Sequence, residues 1–365
     1  MKIALIANDT TYVYNLRFEL MQAILSKGHS LVAVCERADH AEDLEKAGIK
    51  IVDADVGRHS KNPLNDLKLL AFYNKVIKAE KPDLVLTFNI KPNIYAGFVC
   101  NRFKIPFLVN ITGLGTAVEY PGPMQKLTVM LYRMSVKHAA CVFFQNSENM
   151  QFFEDKGIKC RKKILLPGSG VNVSKYIPME YPTNKEFCFV GRMLKEKGIE
   201  EYVTAAKAVL KEHPDAIFHI IGGCDSDYED YLAEAVQTNG IIYHGHSNCV
   251  GEFITRCCCT VHPTYYPEGM SNVLLESGAT ARPIITTDRS GCREIVDDGV
   301  NGFIVNQRDA DDLTQKLLKF LSMPWDVRKD MGLAGRAKIE REFDRRIVVD
   351  KYMTEINEVL NGSEG

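Results

Sequence analysis

The sequence predicts an α/β protein made of two consecutive parallel sheets, each wrapped by helices. Three observations carry that expectation. Short β-branched runs alternate with longer segments of helical spacing, the alternation starts afresh at Phe187, and a stretch rich in proline and turn formers, Pro178-Met179-Glu180-Tyr181-Pro182-Thr183-Asn184, separates the two series. A chain of 365 residues is also long enough for two domains of ordinary size.

In the first series the strand-like runs are Ile3 to Ala7, Leu31 to Cys35, Ile51-Val52, Leu84 to Phe88, Phe107 to Asn110, Cys141 to Phe144 and Ile164 to Leu166, with helical spacing in Leu16 to Ser26 and Leu67 to Ala79. In the second they are Phe187 to Val190, Ile217 to Ile221, Ile241 to Tyr243, Cys258 to Val261, Ile284-Ile285 and Phe303 to Val305. The expected division is a Rossmann-like unit over 1–178, a second over 179–345, and a terminal helix and tail over 346–365.

A net charge of −2 and a pI near 6.5 give no global reason to expect nucleic acid. No apolar run reaches the length of a membrane span, and Met1 to Ala7 reads as a first strand rather than a signal peptide. The eleven cysteines fall mostly within strand-like runs, as at Cys35, Cys141 and Cys188, and are expected to be reduced core residues of a cytosolic protein. Cys257-Cys258-Cys259 lacks the spacing and the histidine partners of a zinc site, so no metal is expected.

Chemistry concentrates where strands end. His262 to Glu276 runs from a strand through a Pro/Tyr/Gly loop into a helix, which sets Glu268 in the loop and Glu276 within the helix. Gly269, Met270, Ser271 and Asn272 are expected to offer unpaired N–H groups there to a phosphate or a sugar hydroxyl. Taken alone, two acids at such places are also what the helix macrodipole favours. Phe187 to Gly198 repeats the pattern: a strand, a turn at Gly191, then Arg192, with Lys197-Gly198 opening a helix. A guanidinium fork and a mobile ammonium suit a diphosphate. Asn8 to Asn15 is expected as a loop after the first strand, lining the cleft; it has no Gly-x-Gly-x-x-Gly, which argues against a dinucleotide, and no cofactor is expected.

Glu-Gly-x6-Glu at Glu268 and Gly-Arg-x4-Lys-Gly at Gly191, each after a strand, together resemble the signature of the retaining glycosyltransferases of family 4. The resemblance implies a GT-B fold, two Rossmann-like domains facing across a cleft with the C-terminal helix crossing back to the N-terminal domain. It implies catalytic roles for Arg192, Lys197 and Glu268. Donor contacts would come from Gly191, Gly223, His244, Gly269 to Asn272 and Glu276, the last of these on the ribose. Ser290-Gly291-Cys292-Arg293-Glu294 resembles a family turn near the donor.

The N-terminal half is similar to the subfamily that extends polyprenyl-diphosphate-linked sugars in capsule, O-antigen or N-glycan assembly, through Arg58-x-Ser60-x-Asn62-Pro63 and Lys91-Pro92-Asn93, both expected as basic loops at the cleft edge, and through Thr112-Gly113. That likeness implies acceptor contacts at Asn8, Arg58, Ser60, Asn62, Lys91, Asn93, Thr112 and Gly113. Many family members carry a histidine where Thr112 stands, so no imidazole role passes to that position. Pro123 to His138 is an apolar and basic segment whose Met and Leu residues recur at helical spacing, so they are expected in the core; such a helix can also rest on anionic headgroups.

The resemblance thus implies a retaining, metal-independent enzyme moving an N-acetylhexosamine or hexose from a UDP-sugar to a lipid-linked saccharide, at the cytoplasmic face of the membrane on which it rests peripherally. A nucleotide-sugar 2-epimerase of the same fold and a noncatalytic nucleotide-sugar-binding subunit are the alternatives.

Overall fold

Strands that are apolar at consecutive positions are covered on both faces, and parallel sheets provide that cover. The computed structural model describes residues 1–54, 63–224 and 228–362. Its first seven strands are β1 (Lys2–Asp9), β2 (Ser30–Glu36), β3 (Lys50–Asp53), β4 (Leu84–Phe88), β5 (Phe107–Ile111), β6 (Cys141–Phe144) and β7 (Lys163–Leu165), all parallel in the order β3-β2-β1-β4-β5-β6-β7. The second sheet has β8 (Glu186–Val190), β9 (Ile217–Ile221), β10 (Ile241–Tyr243), β11 (Cys259–His262), β12 (Ile284–Thr287) and β13 (Gly302–Val305), parallel in the order β10-β9-β8-β11-β12-β13. In each sheet the strand order reverses beside the first strand, between β1 and β4 and between β8 and β11. Ligands of open α/β sheets sit outside the carboxyl ends of strands at such a reversal.

The chain divides into unit 1, residues 1–169 with the segment from Arg345 onward, and unit 2, residues 170–344. The first division falls earlier than 178 because the stretch after Gly170 is tied to unit 2. Val171 N–H donates to Phe343 O at 2.9 Å, and Val171 and Val173 pack with Leu274, Leu275 and Ile339. Helix Arg345–Asn361 belongs to unit 1, where Val348, Tyr352, Ile356 and Leu360 join Ile3, Leu5 and Val13 in one core. The unit 2 core is aromatic at its centre, with Phe187 stacked on Phe218 at 5.0 Å and Tyr202 packed edge-on to Phe218 at 5.8 Å.

Three local expectations are corrected. No loop follows β1: helix Thr10–Ser26 starts directly, with the Asp9 carboxylate accepting from Tyr12 N–H at 2.7 Å as its N-cap. Lys91 and Asn93 are not in a loop but in the first turn of helix Ile90–Phe103. Helix Pro123–Ser135 turns its methionines and Leu127 the other way. Gln125, Thr128 and Ser135 are buried with Val129 and Tyr132, whereas Met124, Leu127, Met130 and Met134 are 48–57% exposed. Short polar side chains permit the close approach. Ser135 packs where a Cβ on Gly97 would come within 3.2 Å of it, Gln125 Nε2 donates to Val118 O at 2.7 Å, and Asn101 Nδ2 donates to Ser135 O at 2.8 Å.

The cysteines are free thiols; eight are buried, Cys160 and Cys224 are half-buried, and Cys249 is exposed. No helix among the described residues is long and apolar enough to cross a membrane. Arg58, Ser60 and Asn62 lie outside the described residues.

Candidate functional site

At the carboxyl end of β8 two glycine turns lock together. Gly222 has φ +145°, and a Cβ there would lie 1.8 Å from Gly191 O, so only glycine permits this approach. Gly191 N–H donates to Ile221 O at 3.0 Å and Met193 N–H to Gly223 O at 3.0 Å. Arg192 lies between these bonds with its side chain exposed.

The chain then makes a short 3₁₀ turn, Lys195–Lys197, and enters helix Ile199–Glu212 through Gly198 at φ +79°, where a Cβ would fall 2.2 Å from Pro263 O. The carbonyl of Glu196 accepts from Tyr265 N–H at 2.8 Å and from Thr264 Oγ1 at 3.1 Å. These bonds clamp the segment after β8 to the segment after β11 and set Lys197 against Glu268, Nζ donating to Oε1. Lys197 Nζ also lies 4.9 Å from the centre of the Tyr266 ring. Burial pushes the Glu268 carboxyl up, but the Lys197 charge and His262 outweigh it and hold the group at about 2, so Glu268 is ionised near neutrality.

His262, the last residue of β11, has no role in the sequence reading. It is 2% exposed, its Nε2 is 3.9 Å from Glu268 Oε1, and neither ring nitrogen has a hydrogen bond. Burial holds the imidazole below its ordinary value despite Glu268, with Lys197 acting the same way. Its sequence signal is its place, a polar ring closing an apolar strand at the reversal of strand order.

Helix Asn272–Ala279 follows, with Glu276 half-buried in its second turn and Asn272 Oδ1 buried without a partner. The expectation of a run of unpaired N–H groups over 269–272 is corrected at Ser271, whose N–H donates to Gly291 O at 2.8 Å. Met270 belongs to the hydrophobic core beside Leu274 and Cys292, and Gly269 sits against Gly291, where a Cβ would come within 2.9 Å of Gly269 O. Glu294 secures this turn by accepting from Ser290 Oγ at 3.1 Å and Gly291 N–H at 2.7 Å. His244, directly after β10, is exposed, and its loop is held by Gly222 N–H donating to Gly245 O at 2.8 Å. Gly191, Arg192, Lys197, Gly223, His244, Glu268 and the start of helix Asn272–Ala279 therefore share one edge of the second sheet. Two cations, an ionised carboxylate and an unbonded imidazole can there meet a diphosphate and sugar hydroxyls.

In unit 1, Asn8 is half-buried near the end of β1. Thr112 and Gly113 follow β5, with Thr112 Oγ1 accepting from Asn89 Nδ2 at 3.5 Å and Gly113 at φ +141°. Asn89, absent from the sequence reading, closes β4 with φ +70° and ψ 163°, a region that side chains rarely enter and that is held under strain at functional sites. Lys91 pairs with Asp66 at 3.0 Å, and Asn93 is buried with Nδ2 donating to Asn110 O at 2.8 Å, so it ties the helix to β5. A cavity of about 540 Å³ in unit 1, lined in part by Lys104, His138 and Arg161, lies by the start of β5, at the opposite edge from Asn89 and Thr112.

Two family models match the chain, "Glycosyl transferase 4-like" over residues 2–146 and "Glycosyl transferases group 1" over 176–338. A Campylobacter jejuni N,N'-diacetylbacillosaminyl-diphospho-undecaprenol alpha-1,3-N-acetylgalactosaminyltransferase is 24% identical over 99% of both chains. An Escherichia coli UDP-Gal:alpha-D-GlcNAc-diphosphoundecaprenol alpha-1,3-galactosyltransferase is 24% identical over 70% of each. Among solved structures, Anabaena Alr3699/HepE in complex with UDP and glucose superposes with a TM-score of 0.79 at 15% identity, over 98% of this chain and 99% of that one. With matched models in both halves and that architecture, the chain belongs to the glycosyltransferases of GT-B fold.

Proposed function

We propose that this glycosyltransferase moves a sugar from a UDP-sugar, held by unit 2, to a saccharide on a polyprenyl diphosphate, held by unit 1, with retention of configuration. The observation that carries the donor half is the meeting of Arg192, Lys197 and Glu268 at the reversal of strand order in the second sheet. Arg192 and Lys197 meet the charge that grows on the departing diphosphate as the bond from the anomeric carbon to phosphate oxygen breaks. The new bond to the acceptor oxygen forms on the same face, and the acceptor proton passes to the departing phosphate. Glu268 holds the donor sugar by its hydroxyls, Glu276 takes the ribose, and the turns at Gly191, Gly223 and Gly269 to Asn272 lie along the diphosphate. Positive charge supplied by side chains takes the place of a divalent cation, so chelation should leave the rate unchanged.

The acceptor half is supported by the names of the Campylobacter and Escherichia relatives, both of which act on undecaprenyl-diphosphate-linked sugars. Asn8, Lys91, Thr112 and Gly113 surround that acceptor, with Arg58, Ser60 and Asn62 on its diphosphate. The exposed apolar stripe of helix Pro123–Ser135 rests on the cytoplasmic leaflet that carries the lipid. The test is a product assay with UDP-sugars and a short prenyl-diphosphate-linked acceptor. Transfer with the anomeric configuration kept supports the reading, and an isomerised nucleotide-sugar made without acceptor would point to the epimerase instead.

A further inference from the structure

Behind the site edge of unit 2 runs a chain of four polar side chains that the reaction as proposed does not use. His244 Nε2 lies 2.9 Å from Nδ1 of His219, His219 Nε2 lies 2.9 Å from Glu186 Oε2, and Arg256 Nε donates to that same oxygen at 2.8 Å. His219 is 1% exposed in the middle of β9, whereas His244 stands at the exposed carboxyl edge. Both nitrogens of a buried imidazole are thus engaged, one by a carboxylate and one by a second imidazole.

The chemistry of each partner fixes the direction of the protons. An ionised carboxylate only accepts, and Arg256 beside it keeps Glu186 ionised, so His219 donates from Nε2. With that single ring proton on Nε2, His219 has a bare Nδ1 that accepts, which obliges His244 to donate from Nε2. A neutral His244 is left with a bare Nδ1. Burial, followed by His219 and Arg256, lowers the proton affinity of His244 and keeps it neutral near neutrality.

We infer that Glu186 and His219 are positioning residues that present His244 Nδ1 as a hydrogen-bond acceptor to the nucleobase of the donor, selecting a base with a ring N–H, such as uracil, over one with a bare ring nitrogen, such as cytosine. This inference rests on the proposed donor site. The loop of His244 is joined to the Gly191-Arg192 turn through one intermediary, the turn at Gly222, which puts the imidazole one strand beyond the place proposed for the diphosphate. Cytosine would set a lone pair against a lone pair there, and loss of one hydrogen bond with such a mismatch corresponds to a preference of about tenfold or more. A rival occupant is a metal ion, since ligand atoms of Glu186, His219 and Cys257 lie within 4.8 Å of one another, but the carboxylate and both nitrogens of His219 are already bonded.

The experiment combines ¹⁵N spectra of histidine-labelled full-length protein with calorimetry of UDP and CDP, on wild type, His244→Phe and Glu186→Leu. His244 is exposed, so His244→Phe keeps the fold and also assigns the resonance. Expected are a protonated Nε2 and bare Nδ1 on His244, a shift of Nδ1 when UDP binds, a UDP preference of about tenfold or more, and its loss in His244→Phe. In Glu186→Leu the His244 tautomer becomes mixed. A protonated Nδ1 in wild type, a preference unchanged in His244→Phe, or stoichiometric zinc would overturn the inference. Binding of neither nucleotide would overturn the donor reading itself, while the tautomer is read without ligand and still decides the hydrogen-bond chain.

Discussion

Lys197 and Glu268, 71 residues apart, form one ion pair that joins the segments leaving β8 and β11. Both side chains are largely buried, 12% and 18% exposed, so the pair is part of the fold as well as of the site. Removing Lys197 alone leaves a buried carboxylate without its cation, which costs about 3–5 kcal/mol. Lys197→Met should therefore lower the melting temperature as well as abolish transfer, and adding Glu268→Gln should restore most of the lost stability without restoring activity. Equal melting of wild type and Lys197→Met would dissolve the pair.

The same pair sets a pH dependence. Glu268 is held at about 2, below its ordinary 4.5, so the unfolded chain binds a proton there that the folded chain does not. Its contribution is complete above about pH 4.5 and is lost as pH falls towards 2, with a ceiling on the order of 3 kcal/mol. Chemical denaturation of wild type and Glu268→Gln at several pH values should show a stability gap that is constant above pH 5 and closes below 4.5. A gap that does not narrow at all between pH 5 and pH 2 counts against a Glu268 held at about 2.

Arg192 differs from Lys197 in its exposure, and this separates two cations that a sequence treats alike. Arg192→Ala should leave the melting temperature within about a degree or two, since exposed cations contribute little to stability, while turnover falls more than about tenfold, equivalent to 1.4 kcal/mol of transition-state stabilisation. Near wild-type turnover would remove Arg192 from the diphosphate.

Much of the fold was legible because its strands are continuous apolar runs, and all thirteen described strands fall within two residues of those runs. The strand-end motifs were legible because they are local. What escaped reading depends on partners distant in sequence. Lys197 looks like an exposed loop cation until Glu196 O holds the segment of Thr264 and Tyr265 against it. His262 and Asn89 carry no motif, and their importance lies in burial without bonds and in a positive φ. Helix Pro123–Ser135 misled because its Met and Leu residues do recur at helical spacing, yet close packing at Gly97 favours the short polar face.

Glu276 is placed to test the donor assignment by affinity alone. A carboxylate accepting ribose hydroxyls makes charged hydrogen bonds of about 1.5–3 kcal/mol, so Glu276→Ala should weaken UDP binding by roughly ten- to a hundredfold. Glu276→Gln should weaken it less. Unchanged calorimetric affinity in Glu276→Ala returns the residue to the helix surface.

The outward face of helix Pro123–Ser135 bears on where the enzyme works. Met124, Leu127, Met130 and Met134 lie three or four residues apart and form one stripe, and Tyr120, 66% exposed, precedes it. Lys126, Arg133 and Lys137 are exposed around the stripe, so an anionic bilayer can take the apolar side chains at its boundary and the cations at its headgroups. Wild type should co-sediment with vesicles containing phosphatidylglycerol in low salt and release as salt rises, because surface attraction is screened over about 8 Å at physiological ionic strength. Leu127→Asp with Met130→Asp should abolish sedimentation, lower transfer to a vesicle-borne polyprenyl-diphosphate acceptor, and spare transfer to a short-chain acceptor in detergent. A double variant that still sediments, or that loses both activities together, would show that the stripe serves the fold rather than the membrane.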